Sequence, residues 1–330
     1  MKHKLKRTFK HIGMVILGVF IVFIVLIIKE TWMDQNKLSL MRTDIVQNYY
    51  DETKLRDIMK EQLGKDYLGE LEQDFDHFVM SIVTERLSEY EPERNKRYNT
   101  FMSSDRMREF HEDATDQSAS TSGYASDEHT YYLQLPRFYN GITYKKVKSL
   151  VPEMKRYNRL IIDLRDNGGG HVTEFAKVAE LFVPKDAHLY SLTTSKGVTK
   201  MYSSNESPLM FEQIVILIND NTASVSELFI LALTGNLDNV TLIGTETYGK
   251  EVAYSIREFK DDSALLFITS LMEGPNGMKI DGPIKPDVYI GRTKDEYQSI
   301  LDEALRKEVS EKDKEEQLHA AIKYLNQGTP

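Results

Sequence analysis

Apolar residues recur along this chain with three different rhythms, and the changes of rhythm divide it. From Ile12 to Ile28, "IGMVILGVFIVFIVLII", no residue is charged. At ~1.5 Å per residue the run makes a helix of roughly 25 Å, slightly short of a bilayer core. Phe9 and His11 before it, with Thr31 and Trp32 after it, can fill the interfaces. Its length, and the bulky, charged "KETWMDQ" that follows, argue against a cleaved leader. The expectation is a transmembrane signal anchor over 12–28 behind a basic cytoplasmic tip at 1–11. The apolar positions then take helical spacing. "YYDETKLRDIMKEQL", "LEQDFDHFVMSIVTERL" and "SSDRMREFHED" predict amphipathic helices within a helical N-terminal segment at 35–115, the last capped by Ser103 or Ser104. The small, polar "ATDQSASTSGYASDEH" has no period and reads as a loop or linker, placed at 116–130.

From about residue 131 the rhythm becomes that of strands alternating with helices. "TYYLQLPRF" predicts a strand, "YKKVKSLVPEMKRY" a helix despite Pro152, and "RLIIDL" a buried strand. The turn "RDNGGG" leads into the helix "TEFAKVAELF", and "HLYSLTTSKGVTKMYS" alternates like a hairpin turning at Lys196 and Gly197. "QIVILI" is a strand and "SELFILALTG" a helix closed by Gly235. "NVTLIGTETYGKEVAYSIREF" and "SALLFITSLM" read as strands, with closing helices at Lys294–Arg306 and Glu311–Asn326. Such alternation predicts an α/β core with largely parallel pairing, here 131–308, followed by a C-terminal helix at 309–330.

Charge sharpens this division. Lys and Arg number 42 against 51 Asp and Glu, a net charge of -9 over 330 residues. Five of the basic residues fall within the first ten, and no acid precedes Glu30. The basic tip should stay inside, which puts residues from about 30 onward outside the cytoplasm. The acidic remainder argues against a nucleic-acid partner. The chain has no Cys, which removes disulfides, thiol catalysis and Cys-ligated zinc; its eight His show no metal-binding spacing.

Three short stretches carry candidate chemistry. In "LRDNGGG", Leu164 to Gly170, successive glycines let backbone N–H groups face a ligand at a helix N-terminus, although a glycine turn can equally be structural. In "NDNTASVSE", Ser224 stands at a strand-to-helix corner with Glu227 three residues on. That is the pattern of a capping box, and also of an exposed nucleophile beside a helix-start amide. In "ETYGKE", Lys250 follows a glycine; it is either a surface residue or, if burial lowers its pKa, a base. His171 abuts the glycines and reads as a helix-start residue.

In this order the stretches resemble the S41 serine peptidases, the carboxyl-terminal processing or tail-specific proteases. The likeness runs from about Tyr131 to Leu305 and includes "MEGPNGMKIDGPIKPDVYI". The resemblance implies a crotonase-like spiral of ββα units and a Ser–Lys dyad acting on a protein or peptide substrate without metal or cofactor. By position Ser224 matches the nucleophile and Lys250 the general base. The amides of Gly169 and Val225 match the oxyanion hole, and Glu227, Asn167 and Arg165 match supporting positions. Ser226 matches a second, non-catalytic serine. Two departures stand out. "KEVAY" puts Tyr254 where the family has a Lys-orienting Gln, and Glu251 beside the base. The spacing between "HEDATDQSAS" and "YLQLPRF" leaves no room for a PDZ domain. The departures keep a second expectation open, a member that binds a peptide or protein without cutting it.

Overall fold

The computed structural model describes residues 57, 59, 61, 71–115 and 120–327. The anchor expected at 12–28, its basic tip and most of the helix expected at 49–63 lie outside the described residues. Among the described residues, no helix is long and apolar enough to cross a membrane. The chain divides into two units, one up to Glu89 and one from Tyr90 onward. In the first, helix α1 (Leu71–Ser88) forms where its spacing predicts. Thr84 and Ser88 turn their hydroxyls back onto carbonyls of the preceding turn.

The second unit opens with a 3-10 turn (Glu93–Tyr98), strand β1 (Thr100–Met102) and helix α2 (Ser104–Thr115). There follow β2 (Ser122–Ala125), β3 (Thr130–Gln134), α3 (Thr143–Met154), β4 (Arg159–Asp163) and α4 (Val172–Ala179). Next come β5 (His188–Thr194), β6 (Gly197–Tyr202), β7 (Gln213–Ile218), α5 (Val225–Thr234) and β8 (Val240–Gly244). The unit closes with β9 (Val252–Glu258), β10 (Ala264–Glu273), β11 (Val288–Tyr289), α6 (Lys294–Ser299) and α7 (Glu303–Gln327).

Two sheets result. The larger has the order β11-β8-β7-β4-β3-β2 and is parallel except for the β2–β3 pair. Its central strands are apolar at nearly every position because both faces are covered. Leu160, Ile162, Ile214, Ile216 and Ile218 face a core shared with Val147, Phe175 and Phe229 of the connecting helices. Ile161, Val215, Leu217 and Ile243 face the other way, onto Ala321 and Leu325 of α7. The smaller sheet is antiparallel, ordered β1-β10-β5-β6, with β9 on the other side of β10.

Four local expectations are corrected. The stretch read as a linker contains β2, an edge strand whose pairing runs through its backbone. Its side chains are largely exposed, so no apolar alternation marked it. The segment read as helical contains β1, which three residues of pairing tie to β10. The hairpin turns at Ser195 and Lys196, since Thr194 pairs with Gly197. The two closing helices divide earlier than expected, at Ile300–Asp302, and α7 then runs unbroken from Glu303. Asp302 Oδ1 accepts the Leu305 N–H at 3.0 Å, and the Arg306 guanidinium closes on the Ile300 carbonyl.

Candidate active site

Three loops leave the C-terminal ends of β4, β7 and β8, where parallel sheets present their ligands. They are sewn to one another by buried polar contacts. Thr222 Oγ1 donates to the Leu164 carbonyl at 2.8 Å, and the Thr222 carbonyl accepts the Tyr248 N–H at 2.9 Å. Ala223 N–H reaches the Asn167 carbonyl at 3.0 Å. The expected site stretches, 164–170, 219–227 and 246–251, therefore do come together.

Ser224 sits at the start of α5 with φ 62° and ψ −124°, a left-handed conformation that costs a non-glycine residue about 1–3 kcal/mol. Such strain at a strand–turn–helix corner is what lifts a side chain out of the helix line. The Gly-rich turn approaches it closely: a Cβ on Gly169, whose φ is +105°, would lie 2.9 Å from Ser224 Cβ and 3.3 Å from the Val225 nitrogen. Only glycine permits that approach. Val225 N–H, the first of its helix, has no acceptor within that helix. Gly169 N–H, expected to face a substrate oxygen, instead donates to Asn167 Oδ1 at 2.9 Å. Asn167 is fully buried and also donates from Nδ2 to the Leu135 carbonyl at 2.7 Å, so it holds the turn from inside.

Glu227 binds the pieces into one body. Its carboxylate is fully buried and takes four donors: the Ser224 and Lys250 amides at 2.8 Å each, the Gly249 amide at 2.7 Å and the Thr247 hydroxyl at 2.6 Å. Burial pushes its pKa up, and these donors oppose the rise. The capping-box expectation is met from the Glu227 side, yet the same carboxylate also fixes the loop carrying Lys250. Gly249, at φ +85°, makes that loop possible, since a Cβ there would strike Gly282 and Pro283 at 2.6 Å.

Lys250 is 7% exposed. Burial, then the nearby charges of Arg97 and Arg137, lower its pKa from 10.5 to about 7, against an opposing pull from Glu227. Its ammonium nitrogen lies 3.8 Å from the ring centroid of Tyr98 and 4.3 Å from that of Tyr254. Those rings stack on each other, 5.4 Å apart and 7° from parallel. Tyr254, expected in place of a Lys-orienting Gln, thus meets the amine with its ring face. Among the described residues no hydrogen bond joins Lys250 Nζ to Ser224 Oγ. Glu251 turns away from the amine onto Arg94, in a bidentate pair with both N–O distances 2.8 Å.

The remaining expected residues take other duties. Arg165 leaves the glycine turn for the opposite face: it pairs with Asp163 and donates to the Lys314 carbonyl and Gln317 of α7. Ser226 is fully buried, and its hydroxyl has no partner among the described residues. His171 is an exposed residue at the start of α4. Arg94, Arg97 and Tyr98 were missed; they lie far upstream in a polar stretch without a motif. A cavity of about 330 Å³ lined by Asp166, Asn221, Tyr297 and Lys307 includes neither Ser224 nor Lys250. No group of His, Asp or Glu among the described residues could hold a metal ion.

The chain is similar to known serine peptidases. A CtpA-like serine protease of Staphylococcus aureus (strain N315) is 37% identical over 145 residues, 43% of this chain and 29% of that protein. The chloroplastic carboxyl-terminal-processing peptidase 1 of Arabidopsis thaliana is 35% identical over 147 residues, 42% of this chain and 30% of its own. The match thus spans less than a third of either relative. Among solved structures, a lipoprotein from Streptococcus agalactiae superposes with a TM-score of 0.53 at 19% identity, over 80% of this chain and 94% of that one. That likeness concerns the fold alone. The family model described as Peptidase family S41 matches residues 129–290, the stretch that carries all three loops. Residues 129–290 belong to peptidase family S41.

Proposed function

We propose that the chain is a serine endopeptidase in which Ser224 is the nucleophile and Lys250 the general base. The observation that carries this reading is the state of Lys250: a buried amine lowered to about 7, on a loop that shares one carboxylate with the Ser224 amide. A neutral amine takes the hydroxyl proton as Ser224 attacks the scissile carbonyl, then returns it to the leaving amine, and water releases the acyl group. The Val225 amide receives the developing oxyanion. Gly169 joins it once its N–H exchanges Asn167 for the substrate oxygen; loss of one such donor typically costs ~10²–10³ in rate. The reading includes the crotonase-like arrangement of ββα units, needs no cofactor, and takes a protein or peptide as substrate. It also places the domain outside the cytoplasm on a membrane anchor at 12–28, which the basic tip and the apolar run support.

The full chain should cleave an unfolded protein and be labelled at Ser224 by a fluorophosphonate. Ser224→Ala and Lys250→Ala should each lower cleavage by ~10³ or more. Cleavage that survives both substitutions would overturn the dyad. Protease added to intact cells should remove the domain, and protection would overturn the placement. The aromatic seat of the Lys250 amine and the occupied Gly169 amide favour a second reading, a member that binds peptides without cutting them. Peptide binding by a wild-type protein that no phosphonate labels would establish it.

A further inference from the structure

Part of the Lys250 environment comes from outside the region that matches the family. The 3-10 turn at Glu93–Tyr98 precedes residue 129 by a wide margin, yet it is fixed to the site loop and its strand at several points. Arg94 and Asn95 both bind the Glu251 carboxylate, Asn95 through Nδ2 at 3.0 Å. Asn99 Oδ1 accepts the Ile268 N–H at 2.9 Å, and β1 continues the attachment along β10.

What this anchoring delivers is a pair of adjacent side chains against one amine. The Tyr98 ring, itself buried, lies 3.8 Å from Lys250 Nζ and stacks on Tyr254, which closes the other side. Arg97 lies 5.0 Å from the Tyr98 centroid and 4.9 Å from that of Tyr248, and its Nη2 donates to the Tyr98 hydroxyl at 2.8 Å. The guanidinium is therefore within about 9 Å of the amine and is held there. Among the described residues it has no carboxylate partner to cancel its charge, whereas Arg94 beside it has Glu251. The other charges facing the amine are Arg137, from the loop after β3, and Glu227 of α5. The titratable neighbours are Tyr98, Tyr248 and Tyr254.

Resting on the Ser224–Lys250 reading, we propose that Arg97 and Tyr98 are positioning residues for the Lys250 amine. The Tyr98 ring shuts it away from water, and the Arg97 charge disfavours its protonation. A like charge at this range in a partly buried site is worth ~1 pH unit in the midpoint of an amine. The ring face attracts an ammonium, so Tyr98 acts through exclusion of water more than through its π-system.

The test titrates Lys250 directly. In the full chain carrying ¹³C-lysine, the Lys250 side-chain resonance, assigned with Lys250→Arg, is followed by NMR from pH 5 to 10. Ser224 labelling by a fluorophosphonate is followed over the same range. Arg97→Gln, an exposed substitution, should raise the midpoint by ~1 unit and slow labelling about tenfold at pH 7, with recovery by pH 9. Tyr98→Phe keeps the ring but frees Arg97 of its hydroxyl anchor, and should raise the midpoint by no more than the Arg97 step of ~1 unit, while Tyr98→Ala should move it further, well towards the ordinary lysine range. Arg97→Gln with an unchanged midpoint, or equal effects of Tyr98→Phe and Tyr98→Ala, would overturn the proposal. A midpoint that moves as expected while Ser224 is never labelled would instead uphold the role of both residues towards the amine and defeat the dyad.

Discussion

The two sheets contribute to the site by different means. The parallel sheet supplies Ser224 and the glycine turn from successive strand ends, and it holds them with backbone geometry: a positive φ at Ser224, a glycine at φ +105°, and amides laid against buried polar side chains. The antiparallel sheet supplies Tyr254, and β9 begins directly after the Lys250 loop. That side is held by side chains from distant parts of the chain, namely Tyr98, Arg97 and the Arg94–Glu251 pair. One half is fixed by local chain conformation and the other by long-range packing. Glu227 is where they meet.

Removing that junction is the sharpest way to break the comparison. Glu227→Ala strands the amides of Ser224, Gly249 and Lys250 and the Thr247 hydroxyl in a dry interior. The expected cost is ~3–5 kcal/mol, read as a lower midpoint in denaturant, with Ser224 labelling lost. A fully stable variant would mean that the halves do not depend on this carboxylate.

Lys250→Met tests the packed half alone. Below pH 7 the lysine is charged in both folded and unfolded chains, so the folded protein bears the full cost of burying it. Between about 7 and 10.5 only the unfolded chain keeps the proton, and the cost fades as pH rises. Lys250→Met should therefore stabilise most at pH 6, by up to several kcal/mol at ~1.4 per pH unit, and least near pH 10. Unfolding in urea at both pH values checks this; a gain that does not vary with pH would refute the buried, titrating amine.

The smallest expected change in stability is Gly169→Ala. The new methyl would lie 2.9 Å from Ser224 Cβ and 3.0 Å from the Ala223 carbonyl, on a backbone that L-residues avoid. A loss of ~1–3 kcal/mol should show as a lower Tm, and labelling of Ser224 should fall by a larger factor than stability. Equal labelling rates in the two proteins would remove the glycine turn from the site.

The same contrast explains what the sequence revealed. Ser224, Gly169 and Lys250 were legible because each sits at a strand end or a glycine turn, in an order that local text preserves. Glu227 was legible as a cap, but its grip on the Gly249 and Lys250 amides depends on how β8 returns beside β7. Tyr98 and Arg97 left no trace, since nothing at position 97 signals a neighbour at 250. Tyr254 was singled out as standing in place of a Lys-orienting Gln, yet it meets the amine with its ring, because stacking on Tyr98 turns its face that way. Strand β2 escaped notice because an exposed edge needs no apolar alternation.

Helix α7 touches the site only through its back. Lys314 Nζ pairs with Asp166 at 2.7 Å, and Asp166 Oδ1 in turn accepts from Asn219 at 2.8 Å and Asn221 at 3.0 Å, on the loop leading to Ser224. During synthesis the ribosome makes Lys314 long after the serine and the lysine. The nascent chain thus carries Ser224 and Lys250 before it owns the helix that braces the glycine turn against the loop leading to Ser224.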